Sequence, residues 1–388
     1  MIHVVFNSPY LGGAERSVIE QATMSFSLDH LHFHIPRTQY PMIESDIYKF
    51  LKSNHNKCHI SEFPFQSQLF QVSRTHIFSQ LIGLFFIPVA VFKIILYRKK
   101  MKLKSDDILW LNGNKAAILF LMSLIFDKTP ARFVWHWRDY PSTSGLLSLV
   151  KILLKKINPS QILLLANSQS VEDSLKLWRP NNQIETSYVY NPTGDISHKH
   201  VDKVETIGLA SMLAPWKGQH DILLNLALNK ENLLSIGVKQ CFIFGDEIYQ
   251  TSGEHSGYKE QLEKLIEKFA LKNFVYLKGN ESPKKIFQDI DLLIHSSLKP
   301  EPFGRILIES FSAGIPVLST ALGGSREVMG YDFERGWNYQ ISHPNDFFTQ
   351  IKCISESLGS TLKIQNAKEW SLLVNKQIPL KFRELFKN

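Results

Sequence analysis

Short apolar runs alternate along the chain with longer segments whose apolar residues recur at helical spacing. Short runs of this kind are typical of buried parallel strands. In the first half they predict strands at residues 2–6, 108–111, 132–136 and 162–166. In the second half they predict strands at residues 205–209, 239–244, 274–277, 292–295 and 317–319. Because strands alternate with helices, the pattern predicts a parallel α/β architecture.

A break in this pattern divides the chain. Residues 191–203 contain a proline, a glycine and several polar side chains, a composition typical of a linker. The 388 residues are too many for one ordinary core and suit two. We therefore expect an N-terminal domain at residues 1–195, a C-terminal domain at 201–365 and a helical segment at 366–388.

Composition indicates an ordinary globular protein. Apolar residues make up 44% of the chain and charged residues 21%, which argues against long disordered tails. The three cysteines lack the spacing of a disulfide framework or zinc site, so a reducing compartment is expected. The N-terminus carries no pattern of an export signal, and we expect a cytoplasmic protein.

The excess positive charge lies entirely in the first half. Residues 1–200 contain 22 Lys and Arg against 14 Asp and Glu, a net charge of +8, whereas residues 201–388 contain 22 of each. Such asymmetry indicates nucleic acid or an anionic membrane as a partner. No nucleic-acid-binding motif accompanies it, so we expect a membrane surface and no nucleic acid.

Residues 77–97 are almost entirely apolar and precede a run of basic residues. A single membrane crossing would place the strands at 2–6 and 108–111 on opposite sides of the bilayer, although one sheet should contain both. The main alternatives are helices packed on the N-terminal sheet and an interfacial helix in the membrane plane.

The most specific motif covers residues 300–309, with the sequence P-E-P-F-G-R-I-L-I-E. Seven residues separate Glu301 from Glu309, and a helix is predicted at Arg305–Ala313. The amides at its N-terminus, where a diphosphate could accept hydrogen bonds, belong to Phe303, Gly304 and Arg305.

Three further motifs follow predicted strands, where α/β folds place ligand-binding groups. Gly12 and Gly13 would allow the backbone to approach a phosphate or sugar closely. His136 ends the third strand and Arg138 follows it, although Arg138 could equally pair with Asp139. Lys217 and Gly218 follow the first strand of the second half.

Together these motifs resemble those of the family 4 retaining glycosyltransferases. The run from Glu301 to Glu309 resembles their E-x7-E motif, and Gly12-Gly13 lies in a copy of their G-G-A-E-R loop. The segment at Lys217 resembles their G-R-L-x-P-x-K-G loop, except that Ser211 and Met212 replace its glycine and arginine. The resemblance implies a GT-B fold: two Rossmann-like domains facing a cleft, with a C-terminal helix crossing back to the N-terminal domain.

The resemblance also implies a role for each residue. Glu301 would orient the donor sugar, Glu309 would bind the ribose, and Lys217 would neutralise the diphosphate. His136 would lie near the sugar and the attacking hydroxyl, and Arg138 would contact phosphate or acceptor. Catalysis is thus expected from His136, Glu301 and Lys217. Donor binding is expected from Gly12, Gly13, Lys217, Phe303, Gly304, Arg305 and Glu309.

No metal or other cofactor is expected. Asp289-Ile290-Asp291 matches a metal-binding D-x-D pattern, but its position at the end of a predicted helix favours capping. His30, His32 and His34 alternate along a polar stretch without a carboxylate or cysteine partner, so they predict no metal site.

The implied activity is retaining, metal-independent transfer of a sugar from a nucleotide-diphosphate sugar to a saccharide or lipid-linked acceptor. The family and the basic, apolar N-terminal half favour bacterial surface polysaccharide synthesis, such as lipopolysaccharide or capsule, at the inner face of the cytoplasmic membrane. Two alternatives stay open: another GT-B enzyme, such as a sugar-nucleotide epimerase or a phosphorylase, and an inactive sugar-nucleotide-binding subunit.

Overall fold

The structure is a computed structural model that describes residues 1–388 except 39, 65–76, 127, 143–145, 195, 248–256 and 388. For residues 77–86, 146 and 149 it describes the backbone. The chain divides into two compact units. Unit 1 comprises Met1–Asn191 and Lys376–Asn388, and unit 2 comprises Pro192–Asn375. The division falls within the predicted linker.

Unit 1 contains a parallel sheet with helices on both faces. Its strands are β1 (Ile2–Phe6), β2 (Leu31–Pro36), β3 (His59–Phe63), β4 (Ile108–Asn112), β5 (Arg132–Trp137), β6 (Ile162–Ala166) and β7 (Glu185–Tyr188). Its helices are α1 (Gly13–Ser25), α2 (Asp46–Asn54), α3 (Ile77–Met101), α4 (Asn114–Phe126), α5 (Leu146–Leu154) and α6 (Gln169–Trp178). The strand order β3-β2-β1-β4-β5-β6-β7 reverses direction between β1 and β4.

Unit 2 repeats this arrangement. Its strands are β8 (Thr206–Ala210), β9 (Gln240–Phe244), β10 (Val275–Gly279), β11 (Leu292–His295), β12 (Val317–Ser319) and β13 (Trp337–Asn338). Its helices are α7 (Gln219–Ser235), α8 (Tyr258–Lys268), α9 (Pro283–Asp289), α10 (Arg305–Ala313), α11 (Gly324–Met329), α12 (Pro344–Ser357) and the start of α13 (Lys363–Leu385). The order β10-β9-β8-β11-β12-β13 reverses between β8 and β11.

Both sheets have the strand order of a doubly wound Rossmann fold, so the predicted fold class is confirmed. The nine predicted strands are all present, within two residues at each end. Sequence patterns missed β2, β3, β7 and β13. Histidines interrupt the apolar pattern of β2, and Ser61 and Glu62 interrupt that of β3. Strand β7 is a short polar edge strand, and β13 has two residues.

The C-terminal helix α13 begins in unit 2 and ends in unit 1. Within unit 1, Phe382 is fully buried, with its ring centroid 4.6 Å from that of Trp110 on β4. The guanidinium of Arg132 donates a hydrogen bond of 2.6 Å to the carbonyl of Leu385. The end of the helix is therefore part of the unit 1 core.

Helix α3 contains the long apolar segment noted in the sequence. One side of it, including Val91 and Ile94, is buried in the unit 1 core, as the core-helix alternative predicts. Phe92 is nevertheless 59% exposed, and Val89 and Leu96 are also exposed. The side chains of residues 77–86 lie outside the described part of the chain. Among the helices as described, none combines the length and apolar character that a bilayer crossing requires.

Candidate functional site

The predicted site residues of unit 2 follow the two strands at the point where the strand order reverses. Lys217 follows β8, and Glu301 follows β11, which pairs with β8 in parallel. Parallel strands end at the same edge of a sheet, and doubly wound folds bind ligands outside the carboxyl ends at this reversal. The topology of unit 2 therefore brings the two loops together.

Hydrogen bonds to backbone carbonyls connect these two loops. Leu298 donates its amide hydrogen to the carbonyl of Trp216 at 2.8 Å, and the hydroxyl of Ser296 donates to the carbonyl of Lys217 at 2.7 Å. Gly218 has a φ of +71°, and a Cβ there would lie 2.2 Å from the carbonyl oxygen of Ser296. Glycine is thus required beside Lys217 for both conformation and space.

The Glu301 carboxylate is the centre of a buried polar network. Its Oε1 atom accepts hydrogen bonds from Lys217 Nζ at 2.6 Å, from His295 Nε2 at 3.0 Å and from the hydroxyl of Ser297. The side chains of Lys217 and Glu301 are 12% and 9% exposed. Burial alone would raise the pKa of Glu301, but the charges and hydrogen bonds of His295 and Lys217 outweigh it and hold the pKa well below its ordinary range. Glu301 is therefore ionised at neutral pH.

His295, the last residue of β11, connects the Glu301 carboxylate to the sheet. Its Nδ1 atom lies 2.9 Å from the hydroxyl oxygen of Ser319, at the end of neighbouring β12. Sequence reasoning did not select His295 or Ser297. Their position between a strand end and the Glu301 motif was the available signal, because residues there project toward the same edge of the sheet.

Leu322 and Gly324, in the loop after β12, hold the backbone of Glu301. Its amide donates to the carbonyl of Leu322 at 3.0 Å, and its carbonyl accepts from the amide of Gly324 at 2.7 Å. A Cβ on Gly324 would lie 2.1 Å from the carbonyl oxygen of Pro302. Gly324 is therefore a packing requirement of the Glu301 loop.

Helix α10 starts and ends as the sequence predicts. Gly304 precedes it with a φ of +84°, and Gly314 follows it with a φ of +76°. Phe303 is buried and anchors the start of the helix. Within the helix, Arg305 Nε donates to Glu309 Oε1 at 2.7 Å, and both side chains are largely buried. Glu309 is thus presented beside a cation, one helical turn from the N-terminus.

The Met212 loop has contacts of its own. The Gln219 side chain donates to the hydroxyl of Ser211 at 3.0 Å and to the carbonyl of Met212 at 2.9 Å. Gly245 follows β9 with a φ of +128°, and a Cβ there would lie 1.9 Å from the carbonyl oxygen of Ser211. Met212 itself is half-buried.

Both aspartates of the D-x-D sequence, Asp289 and Asp291, make contacts within unit 2. Asp291 Oδ2 accepts hydrogen bonds from the amides of Glu205 and Thr206, and its Oδ1 lies 2.7 Å from Lys199 Nζ. The capping role expected of this motif is wrong for Asp291, because its carboxylate binds the backbone that leads into β8 rather than a helix end. Asp289 pairs with Lys285 on α9 at 2.7 Å.

In unit 1, Gly12 and Gly13 follow β1, beside the reversal of strand order. Gly12 has an ordinary φ of −87°, and a Cβ there would lie 3.0 Å from the Glu15 carboxylate. A Cβ on Gly13 would meet no described atom within 4 Å. Glu15, which sequence reasoning did not select, is nearly buried, and burial raises its pKa despite opposing hydrogen bonds and the charge of Arg138.

Arg138 lies in a polar cluster at the ends of β4 and β5. Its guanidinium donates to Asn112 Oδ1 at 2.7 Å and to Asn191 Oδ1 at 2.8 Å, and it lies 3.4 Å from Gln21 Oε1. Residues 21, 112, 138 and 191 are far apart in the sequence, so only the order of strands could have predicted the cluster.

His136 is fully buried on β5. The Trp110 indole donates to its Nδ1 atom at 3.1 Å, and an Arg138 nitrogen lies 3.5 Å from the same atom. Two donors at Nδ1 place the imidazole hydrogen on Nε2. Burial, followed by the charge of Arg138, holds the pKa of His136 well below its ordinary value, so the ring is neutral. Within the described chain, Nε2 has no hydrogen-bond partner.

Comparison with known proteins supports the interpretation of unit 2. Residues 193–361 match the family model of the glycosyl transferases group 1. This range contains Lys217, Glu301 and Glu309 together with the structural partners His295 and Arg305. No curated protein sequence matches the chain.

Solved structures resemble the whole chain. HepE from Anabaena, crystallised with UDP and glucose, is 20% identical with a TM-score of 0.74, over 100% of this chain and 99% of HepE. A glycosyltransferase from Rickettsia africae is 18% identical with a TM-score of 0.68, over 100% and 97%. Sucrose-phosphate synthase from Thermosynechococcus elongatus is 14% identical with a TM-score of 0.72, over 100% and 98%. The fold is GT-B, as the sequence predicts.

Proposed function

We propose that this protein is a glycosyltransferase that transfers a sugar from a nucleoside-diphosphate sugar to a saccharide acceptor, with retention of anomeric configuration. The observation that carries the proposal is the buried Lys217–Glu301–His295 network at the carboxyl ends of β8 and β11. It lies inside the range that matches the group 1 glycosyl transferases. A buried, ionised carboxylate paired with an ammonium suits a ligand that carries both hydroxyls and phosphates.

On this proposal, unit 2 binds the donor. Glu301 is ionised and accepts hydrogen bonds from the sugar hydroxyls. The Lys217 ammonium has three N–H donors, one of which points to Glu301, so the same group can also meet a phosphate oxygen. The N-terminus of α10 directs its amides and positive dipole end toward the diphosphate. Glu309, held by Arg305, binds the ribose hydroxyls.

Fixed cations and dipoles of this kind stabilise a leaving diphosphate without a metal ion. In the proposed reaction the bond between the anomeric carbon and the phosphate oxygen breaks, and the nucleoside diphosphate leaves with the electron pair. The acceptor oxygen bonds to the same face of the sugar, and its proton moves to the departing phosphate. UDP-sugars are the first donors to test, because HepE was crystallised with UDP-glucose.

Unit 1 is proposed to bind the acceptor. The neutral His136 ring has an Nε2 hydrogen with no partner in the described chain, and a hydroxyl could accept it. Arg138 and its amide partners add a rigid polar cluster at the same edge of the sheet.

A lipid-linked acceptor at the inner face of the cytoplasmic membrane fits the surface of α3. Val89, Phe92 and Leu96 are exposed on this helix. Lys93, Lys99 and Lys100 are exposed around them, which is the composition of a helix that lies in the interface of an anionic membrane. We therefore propose a role in bacterial surface polysaccharide synthesis.

A panel of UDP-, GDP- and dTDP-sugars tests the proposal. The cognate donor should raise the melting temperature, because a ligand at about 100 times its dissociation constant stabilises a protein by about 2.7 kcal/mol. Turnover without an acceptor to an epimer would identify an epimerase, and sugar phosphate release from a glycan with inorganic phosphate would identify a phosphorylase. Tight donor binding with no turnover on any saccharide or lipid-linked acceptor would identify an inactive binding subunit. Each of these results contradicts the proposed transferase.

A further inference from the structure

Four histidines lie on one face of the unit 1 sheet, across the edge strand β3 and the two strands next to it, β2 and β1. In the strand register His3 pairs with His32, and His32 pairs with His59. His34 is two residues beyond His32, so it projects to the same face. His34 and His3 are buried, His32 is half-buried and His59 is exposed, and the row runs from the core to the surface.

The inner three histidines converge. His3 Nδ1 lies 3.0 Å from His34 Nε2, and the ring centroids of His32 and His34 are 4.2 Å apart. One ring nitrogen from each of the three lies within 4.8 Å of the other two. Nitrogens bound to a common Zn²⁺ at about 2.0–2.1 Å in tetrahedral geometry lie within this separation.

We propose that His3, His32 and His34 form a binding site for a divalent transition-metal ion, with Zn²⁺ as the first candidate. Three imidazoles suit Zn²⁺, Cu²⁺ and Ni²⁺, whereas Mg²⁺ and Ca²⁺ prefer oxygen ligands. A water molecule or His59, whose ring centroid is 5.8 Å from that of His32, completes the coordination. This proposal differs from the expectation drawn from the sequence, in which His32 and His34 had no partner, because the register of β1 with β2 brings His3 beside them. The site is independent of the proposed transferase activity.

Neighbouring side chains hold the rings as metal sites require. His34 Nδ1 lies 2.7 Å from the Tyr97 hydroxyl on α3, which leaves Nε2, the atom beside His3, for the metal. His32 Nε2 lies 2.7 Å from the hydroxyl of Ser61 on β3. Such outer contacts fix the tautomer and orientation of ligating histidines.

The rings are also in the protonation state that binds metal. Burial, with the charge of His32 as the next cause, lowers the pKa of His3 to about 4, and burial lowers that of His34 well below its ordinary value. Neutral imidazoles offer a lone pair at neutral pH, so metal does not have to displace a bound proton from a charged ring. Only the tautomers have to adjust.

The position of the cluster indicates a structural role. His3 and His32 each lie second in their strands, toward the amino ends, whereas Gly12 and Gly13 follow the carboxyl end of β1. A metal here would join β1 to β2 and, through Tyr97, support the packing of α3. It would stabilise unit 1 without contacting the residues proposed to bind substrates.

The test uses the untagged full-length chain after treatment with EDTA. Calorimetric titration with Zn²⁺ should show one site per chain, and Co²⁺ should give the strong visible absorption of a tetrahedral complex. His32→Gln should weaken Zn²⁺ binding at least about 100-fold, because even outer-shell changes cost about 10–100-fold. His30→Gln is the matched control, because His30 is exposed and lies outside the cluster; it should bind like the parent.

Melting transitions establish that His32→Gln and His30→Gln are folded. Weaker Zn²⁺ binding in His32→Gln than in His30→Gln supports the site. The proposal is overturned if the EDTA-treated parent gives neither a Zn²⁺ isotherm nor a tetrahedral Co²⁺ spectrum. It is equally overturned if both substitutions leave binding unchanged or weaken it to the same extent, since the metal would then lie elsewhere.

Discussion

Lys217 Nζ and Glu301 Oε1 lie 2.6 Å apart in the interior of unit 2, and this ion pair joins the two loops at the reversal of strand order. The residues that sequence motifs assign to phosphate and to sugar are therefore one electrostatic unit. Removing one partner of a buried pair leaves an uncompensated charge, which typically costs about 3–5 kcal/mol of stability. For a substitution at either residue, both the free energy of unfolding and kcat/KM must be measured, so that lost stability is separated from lost catalysis.

Lys217→Ala tests the phosphate role of the ammonium. The substitution should lower kcat/KM by a factor that corresponds to a loss of about 2–4 kcal/mol in transition-state stabilisation, because the leaving diphosphate loses a fixed positive charge. Met212→Arg, added to Lys217→Ala, should restore part of this loss, since an arginine stands there in the family that the loop resembles. Leu234→Arg, at an exposed position on α7, is the control and should restore nothing. Near-parental kcat/KM in folded Lys217→Ala would show that another group stabilises the diphosphate.

Glu309→Gln tests the ribose contact. The substitution keeps the shape of the side chain but removes its charge and weakens its hold on Arg305. Where the panel identifies UDP as the cognate nucleotide, the donor and free UDP should both bind more weakly, by about 1.5–3 kcal/mol, the value of a hydrogen bond to a charged group. Glu263→Gln, on the exposed side of α8, should bind UDP like the parent. Calorimetry that finds equal UDP affinity in all three proteins rules out the ribose role.

The surface of α3 should bind anionic vesicles. Replacing Lys99, Lys100, Lys102 and Lys104 with glutamine should release the protein, because each basic residue near an anionic surface contributes about 1 kcal/mol. Binding should also weaken as salt rises. The matched control replaces four exposed lysines of unit 2, namely Lys264, Lys268, Lys272 and Lys284. Co-sedimentation that is unaffected by lipid charge, or equally reduced by both sets, contradicts this surface.

Acid should destabilise unit 1 through His3. Burial lowers its pKa in the folded protein to about 4, helped by the charges of His32 and the N-terminal amine and opposed by that of Asp107. The unfolded chain takes up this proton near pH 6.5. Its contribution to stability is therefore complete above about pH 6.5 and is lost as the pH falls to about 4, by up to about 1.4 kcal/mol per unit.

Urea unfolding at a series of pH values, in the presence of EDTA, measures this dependence. In His3→Gln the free energy of unfolding should fall less steeply between pH 6.5 and 4 than in the parent. Equal slopes in the two proteins would show that His3 is protonated alike in the folded and unfolded states.

The sequence predicted most of the fold because its central strands are continuous apolar runs. Strands β6, β11 and β12 were predicted to the residue. Contacts between side chains on different strands could not be predicted from the sequence pattern. The contact between His3 and His34 depends on the register of β1 with β2, and β2 was not predicted, because its histidines break the apolar pattern.

Site residues that lie in one loop could be predicted from their spacing in the sequence. Contacts between residues of different loops could not. The spacing of Glu301 and Glu309 identifies both glutamates, and glycines mark both ends of α10. The ion pair of Glu301 with Lys217, 84 residues away in the chain, follows only from the adjacency of β8 and β11.

The most direct test of the proposed function is donor-dependent glycoside formation, followed by NMR of the anomeric proton. The parent enzyme, with its cognate nucleotide sugar and a saccharide or lipid-linked acceptor, should form a glycoside that keeps the anomeric configuration of the donor, without added Mg²⁺ or Mn²⁺. Glu301→Gln, confirmed as folded by its melting transition, should form it far more slowly. An inverted product, a requirement for added Mg²⁺ or Mn²⁺, or parental turnover in Glu301→Gln would contradict the account.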